Sequence, residues 1–255
     1  MSNRVILAVA SMADDAYMWE TLKGTQAAMF EAGPVSIKLA FYGLEKAGGH
    51  RPCITSRWVN DPDDMDGLID KARAKCVCGC FVNIADIFTA ALQEKEPVKQ
   101  IVILDPPLSN WGANEAMARA DELHAKGIKV FIFRKAAETH ATWFRKAAET
   151  HAPWAESIFR KAAETHATWV DQPFVELAER TGGAYIKFNP SVERVAERLP
   201  HLLKAVAQYA IGGVEAVKAL EDQSADLLLE QMVGLKKPEE VQALGATGAK
   251  GAGWR

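Results

Sequence analysis

Six apolar runs of strand length recur along the chain, at Val5 to Ala10, Val35 to Leu44, Ile54 to Val59, Gln100 to Leu104, Ile128 to Phe133 and Ala184 to Phe188. Helical patterns separate most of them, and strands alternating with helices bury themselves in a sheet covered on both faces. One connection breaks the pattern. Between Leu44 and Ile54 lies a polar, Gly-rich stretch too short for a crossover helix, which demands an antiparallel hairpin. The run KQIVILD is continuous rather than alternating, as a strand buried on both faces requires. The expected architecture is α/β: a doubly wound, mostly parallel six-stranded sheet with one antiparallel edge strand and helices on both faces, Rossmann-like in outline.

Local signals place the helices. The first starts near Asp14 or Asp15, whose carboxylates suit an N-cap, buries Met18, Leu22 and Met29, and stops at Gly33-Pro34. Asp61 is placed to cap a helix over Asp61 to Lys75 with Pro62 in its first turn, and a second helix runs from Asn83 to Glu94. A helix over Asn114 to Lys126 puts Met117, Ala120 and His124 on one side, the partly buried one, and ends at Gly127. Pro173 opens a helix carrying Phe174, Leu177 and Ala178 that closes at Gly182-Gly183. A long amphipathic stretch then runs through Val192, Val195, Leu199, Leu202, Leu203, Val206 and Ala210 to Gly212-Gly213. Pro200 is expected to kink or split it.

Three nearly identical eleven-residue segments interrupt this order. FRKAAETHATW occupies Phe133 to Trp143, FRKAAETHAPW Phe144 to Trp154, and FRKAAETHATW again Phe159 to Trp169. They read as a tandem duplication or a construction, to be subtracted before the fold is read. Phe133, Ala137, His140 and Phe144 follow helical spacing, so each unit suits a three-turn amphipathic helix, with Arg134 and Glu138 paired across one turn and Pro153 breaking the run. A metal role for the repeated histidines is the lesser reading, because no unit holds a second histidine or carboxylate four residues on. The organisation expected is a domain over 1–220 with a repeat insert at 133–169, a helical extension over 221–244, and a disordered Gly/Ala-rich tail over 245–255.

The formal net charge of −3 argues against a general nucleic-acid binder. No apolar stretch approaches the roughly 20 residues that cross a bilayer, and the opening apolar run is too short for a signal peptide. A soluble, cytoplasmic protein without nucleic-acid or membrane partners is expected. Three of the four cysteines crowd into CVCGC, too tight for a disulfide framework, so reduced thiols are the default.

The order of elements resembles the von Willebrand factor type A (VWA) fold. The chain is similar to bacterial cytosolic proteins of this class in ILAVASMADDAYMW, CFVNIADIFTAAL, IVILD, and ELHAKGIKVFIF followed by LAERTGGAYIKF. The resemblance covers roughly residues 4 to 215 with the insert removed. It implies a protein-interaction module binding at the carboxyl ends of the strands, where this family commonly holds a divalent cation with an Asp-x-Ser-x-Ser loop, a Thr and an Asp. Here Ser11 matches the end of the first motif but its Asp has no counterpart, Val82 stands in place of the Thr, and Asp105 matches the last position. Ser11, Asp105 and a shifted Asp14 are the metal candidates, too few oxygen donors for tight Mg²⁺. Mg²⁺ dependence is expected to be weakened or lost, and no other cofactor is implied. Structural readings of the same residues carry more weight: Ser11 starting a turn, Asp14 capping a helix, Asp105 beginning an Asp-Pro-Pro turn. As a surface for a protein partner, Ser11, Asp14, Asn83 and Asp105 are the candidates.

Two other classes compete. Cys76, Cys78 and Cys80, with Cys53 as a fourth donor if the fold brings it near, suit a soft metal or a redox role, although small, partly buried thiols explain them as well. A nucleotide-dependent Rossmann-like enzyme needs a Gly-rich turn after the first strand. ASMADD has no glycine and two acids, and no GxxxxGK[ST] occurs. No GxSxG or HExxH appears either, so no catalytic set is named and a non-enzymatic role is expected.

Overall fold

The computed structural model describes residues 3–9, 16–42, 53–75, 84–104, 113–135, 171–188 and 195–232. The elements run β1 (Asn3–Val9), α1 (Ala16–Thr25), α2 (Ala27–Glu31), β2 (Val35–Tyr42), β3 (Cys53–Val59), α3 (Pro62–Lys75), α4 (Ile84–Leu92), β4 (Gln100–Leu104) and α5 (Ala113–Ala125). Then come β5 (Lys129–Lys135), α6 (171–181), β6 (Ala184–Phe188), α7 (Val195–Lys218) and α8 (Gln223–Gln231). They form one six-stranded sheet in the order β3-β2-β1-β4-β5-β6. Every neighbouring pair is parallel except β2 and β3, the hairpin that the short connection requires. Asp61 caps α3 as expected, its Oδ1 accepting from the amides of Asp63 and Asp64 at 2.8 and 3.2 Å.

Strand side chains alternate between two cores. On one face Val5, Leu7, Val102, Leu104, Phe131 and Phe133 pack with residues of α1, α2, α3, α7 and α8. On the other, Ile6, Ala8, Ile101, Ile103, Val130 and Ile132 pack against α4, α5 and α6. All five residues of β4 are buried, which is why its sequence does not alternate. Among the polar residues buried with these strands, Gln100 fastens a helix. Gln100 is 1% exposed, and in the amide orientation that its surroundings satisfy it donates to the Val206 carbonyl at 2.9 Å and accepts from Ala210 N at 2.8 Å. It thereby engages a carbonyl and an amide four residues apart on α7, holding that helix to the start of β4.

Four local expectations are corrected. The first helical run is jointed at Gln26 into α1 and α2, with the Thr25 hydroxyl donating back to the Thr21 carbonyl at 2.7 Å. Its largest buried side chain is Trp19. His124 is exposed, because the buried stripe of α5 is Ala116, Ala120 and Leu123, and the next residue lies about 100° further round the helix. Pro200 does not break α7; the non-helical dihedrals fall at Gly213 (φ 69°, ψ −154°). Standing only in the second turn, Pro200 forfeits one bond near the helix start, whereas Gly213 adopts a conformation that costs other residues more. Finally, the first repeat is not helical from its start. Phe133, Arg134 and Lys135 complete β5, with Phe133 paired to Leu104 and Ile186 and 1% exposed. The preceding residues explain this: KVFI alternates correctly into both cores, whereas the second copy follows HATW and the third AESI. The remainder of the repeats, 136–169, lies outside the described residues, as does the 245–255 tail.

The return from α6 into β6 is the tightest point described. Gly182 takes a left-handed conformation (φ +70°), its amide donates to the Glu179 carbonyl at 3.0 Å, and Gly183 N donates to Ala178 O at 2.8 Å. Gly183 then runs against the backbone of β5, where an added Cβ would fall 1.9 Å from the Val130 carbonyl oxygen. Backbone cannot yield as a side-chain tip can. Gly183→Ala should therefore cost about 3 kcal/mol or more in urea denaturation, at the upper end of overpacking effects; a loss below about 1 kcal/mol would mean the approach is not so close.

Candidate functional site

A parallel sheet brings the carboxyl ends of its strands to one edge. Register partners Val9 and Leu104, Leu104 and Phe133, and Lys135 and Phe188 set the ends of β1, β4, β5 and β6 along one line. Antiparallel β3 starts at this edge, with Cys53 opposite Tyr42. Helices α1, α5, α6 and α7, each following a strand that ends here, begin here too, as does α4, which returns after α3. Ser11 and Asp14 fall in the chain between β1 and α1, Val82 and Asn83 just before α4, and Asp105 just after β4; all lie outside the described residues, as do Cys76, Cys78 and Cys80. The segments carrying Ser11 and Asp105 leave from neighbouring strands. Among the described residues, no group of three His, Cys, Asp or Glu side chains is arranged to hold a metal ion, and no helix is long and apolar enough to cross a membrane.

Cys53 is the one member of the cysteine set within the described residues. It is a free, partly buried thiol. Burial, reinforced by the Asp86 carboxylate in the first turn of α4, pushes its pKa up to about 12. At neutral pH such a thiol stays protonated, the form least suited to nucleophilic attack or metal ligation.

The charged cluster built into this edge was not legible as a site. Arg134, at the end of β5 with its side chain 4% exposed, donates through Nη1 to Asp171 Oδ1 at the start of α6. Lys187 of β6 donates to the other carboxylate oxygen at 2.6 Å. The guanidinium lies 5.4 Å from the centre of the Phe174 ring, which stacks on Tyr185 at 6.5 Å with 7° between the planes. Burial first, and then the Asp171 carboxylate, push the Tyr185 phenol well above its ordinary range. Two strands and a helix are thus tied together around one carboxylate. The tie also decides how the repeats attach, because residues 136–170 leave the sheet beside Arg134 and return at Asp171. Arg134 was expected to pair with Glu138, which lies outside the described residues; within them its partner is Asp171. Arg134 was hidden by its place in a repeated string; the signal available was the apolar run before it and the lone Asp before Pro173.

Removing one partner of a buried pair leaves the other uncompensated. Asp171→Asn should cost about 3 kcal/mol in chemical denaturation, whereas Lys187→Gln, at the more exposed position, should cost under about 1 kcal/mol. Equal, small losses for the two would show the Arg134 bond to be dispensable.

The sheet order and the single antiparallel edge strand are those of a VWA-like α/β domain, doubly wound as the sequence implies. No protein-family model and no curated protein matches the chain. Solved structures similar to it include a conserved hypothetical protein, BatB, from Bacteroides thetaiotaomicron, at 10% identity and TM-score 0.46, covering 84% of this chain and 98% of that one. A von Willebrand factor type A protein from Catenulispora acidiphila aligns at 8% identity and TM-score 0.46 over 82% of this chain and 42% of that one. The SpRpn10 VWA domain aligns at 11% identity and TM-score 0.44 over 76% of this chain and 91% of that one.

Proposed function

We propose that this chain is a non-enzymatic protein-interaction module that binds a protein partner at the carboxyl edge of its sheet, with Mg²⁺ dependence weakened or lost. The observation that carries the reading is the pairing of Val9 with Leu104, from which the segments bearing Ser11 and Asp14 on one side and Asp105 on the other depart together. Asn83, next to the start of α4, completes the proposed contact set. Backbone ends and polar connections concentrate at this edge, whereas both faces of the sheet are sealed by helices. For metal, the chain offers Ser11, Asp14 and Asp105 without the first Asp or the Thr of the resembling family, so a hard cation would keep most of its water. Burial keeps Cys53 protonated, which weighs against its serving as a reactive thiolate. Residues 136–170, entering and leaving beside Arg134 and Asp171, would shield or extend the contact edge.

Calorimetry with Mg²⁺ should give weak or undetectable heat, and a micromolar affinity abolished by Asp105→Ala would contradict the metal part of the reading. Photo-crosslinkers placed at Asn114, exposed in the first turn of α5, and at Asn3 separate the two edges. Captured protein partners should crosslink from the Asn114 position, with and without Mg²⁺; crosslinking predominantly from Asn3 would place the contact at the wrong edge.

A further inference from the structure

The sheet is bounded on its two flanks by β3 and β6, and an outermost strand offers unpaired amides and carbonyls to a further strand unless something blunts it. β3 is blunted. Its register with β2 shifts between Lys38 and Ala40, so that Ser56 and Arg57 together face Leu39. The Ser56 hydroxyl accepts from Leu39 N at 3.0 Å and donates to the Arg57 carbonyl at 2.6 Å, and the exposed Arg57 side chain is bound to Asp64. β6 carries no such device. Its register with β5 runs unbroken from Ala184 to Phe188, and Tyr, Ile and Phe among its residues favour a strand. Its one charged side chain, Lys187, is drawn to Asp171 of α6 at 2.6 Å. Among the described residues no strand lies beyond β6. A straight flank left in this condition is a template for pairing.

We propose that β6 pairs antiparallel with β6 of a second copy of this chain, continuing the sheet through a two-fold axis at Ile186. The strand AYIKF is complementary to itself in that register. Ile186 meets the partner's Ile186. Ala184 meets the partner's Phe188, small against large, and Tyr185 meets the partner's Lys187, which sets an ammonium and its aliphatic stem beside an aromatic ring. The faces agree as well. Ala184, Ile186 and Phe188 belong to the core shared with α7 and α8, whereas Tyr185 and Lys187 lie on the side of α6. Because paired side chains must share a face, a one-residue slip is excluded; a two-residue slip shortens the pairing, and toward Phe188 it also sets Lys187 against itself. A contact between β6 of one copy and β3 of the next would propagate into a fibre, and the bulge in β3 opposes it, so the two-fold contact closes. The proposal is independent of the interaction-module reading, because the contact runs along the flank of β6 and not across the ends of β1 and β4.

The test is sedimentation equilibrium of the full chain from low to high micromolar concentration, together with a photo-crosslinker placed in turn at Lys187 and at Arg57, the exposed side chains of the two flanking strands. A reversible monomer–dimer equilibrium is expected, with crosslinked dimer from the Lys187 position and none from Arg57. Tyr185→Lys, which opposes two lysines on each side of the axis, should weaken dimerisation by about tenfold. Lys187→Gln, the milder change, should weaken it less while the protein keeps its cooperative urea transition. A monomer throughout the range would overturn the proposal, and hydrogen exchange at the β6 amides would then name the alternative: slow exchange means that another segment of this chain covers the strand, fast exchange that it is left for a different protein. Dimers that crosslink from Arg57, or whose affinity is unchanged in both variants, would overturn it too. None of these results alters what the Asn114 and Asn3 crosslinkers report, so the two readings fall separately.

Discussion

Burial of the parallel strands on both faces is the constraint on which everything else in this molecule depends. β4 contributes five buried residues in a row, and β1 and β5 divide theirs between two cores. A strand sealed in this way has no exposed face on which to place chemistry, so variable and polar residues are driven to the ends. Gln100 is a buried polar residue that shows the rule. Its buried amide persists because α7 supplies both partners, and it serves attachment rather than exposure.

The same constraint explains how the chain tolerates three copies of one segment. The sheet needs only Phe133 and Arg134 from them: Phe133 fills one core, and Arg134 binds Asp171 across the gap where residues 136–170 are attached. With both ends of that connection held by β5, β6 and a buried ion pair, its length matters little. Lengthening a connection roughly fourfold, as the two additional copies with their spacer do, raises the entropic cost of closing it by only about 1 kcal/mol.

Much of the fold was legible because it rests on local rules. Strand positions, the hairpin, the Asp61 cap and the glycine stops at Gly127 and Gly182 depend on residues close together in the chain. What escaped depends on the third dimension. His124 and Ala120 both fit a helical stripe, and only packing decided that the stripe passes through Leu123. Pro200 signalled a break, yet it stands near enough to the start of α7 for the helix to continue. Arg134 read as one member of a repeat, and its partner Asp171 lies 37 positions away. The His201–Asp222 pair was equally hidden: Gly212-Gly213 signalled an interruption of the helix, but nothing local says that Asp222 meets His201. Of the residues expected to form the site, Cys53 alone falls within the described structure; Ser11, Asp14, Asn83 and Asp105 are tied to it through the strand and helix ends they adjoin.

The central claim is that the two additional copies of the repeat are attached to the domain rather than built into its core. It is tested most directly by deleting Phe144 to Trp169, which joins Trp143 to Val170 and preserves Phe133, Arg134 and Asp171, and by measuring urea denaturation of the shortened and full chains side by side. A single cooperative transition, with stability unchanged or higher by about 1 kcal/mol, is the predicted result. Loss of cooperativity, or a fall of several kcal/mol, would show that the additional copies belong to the core.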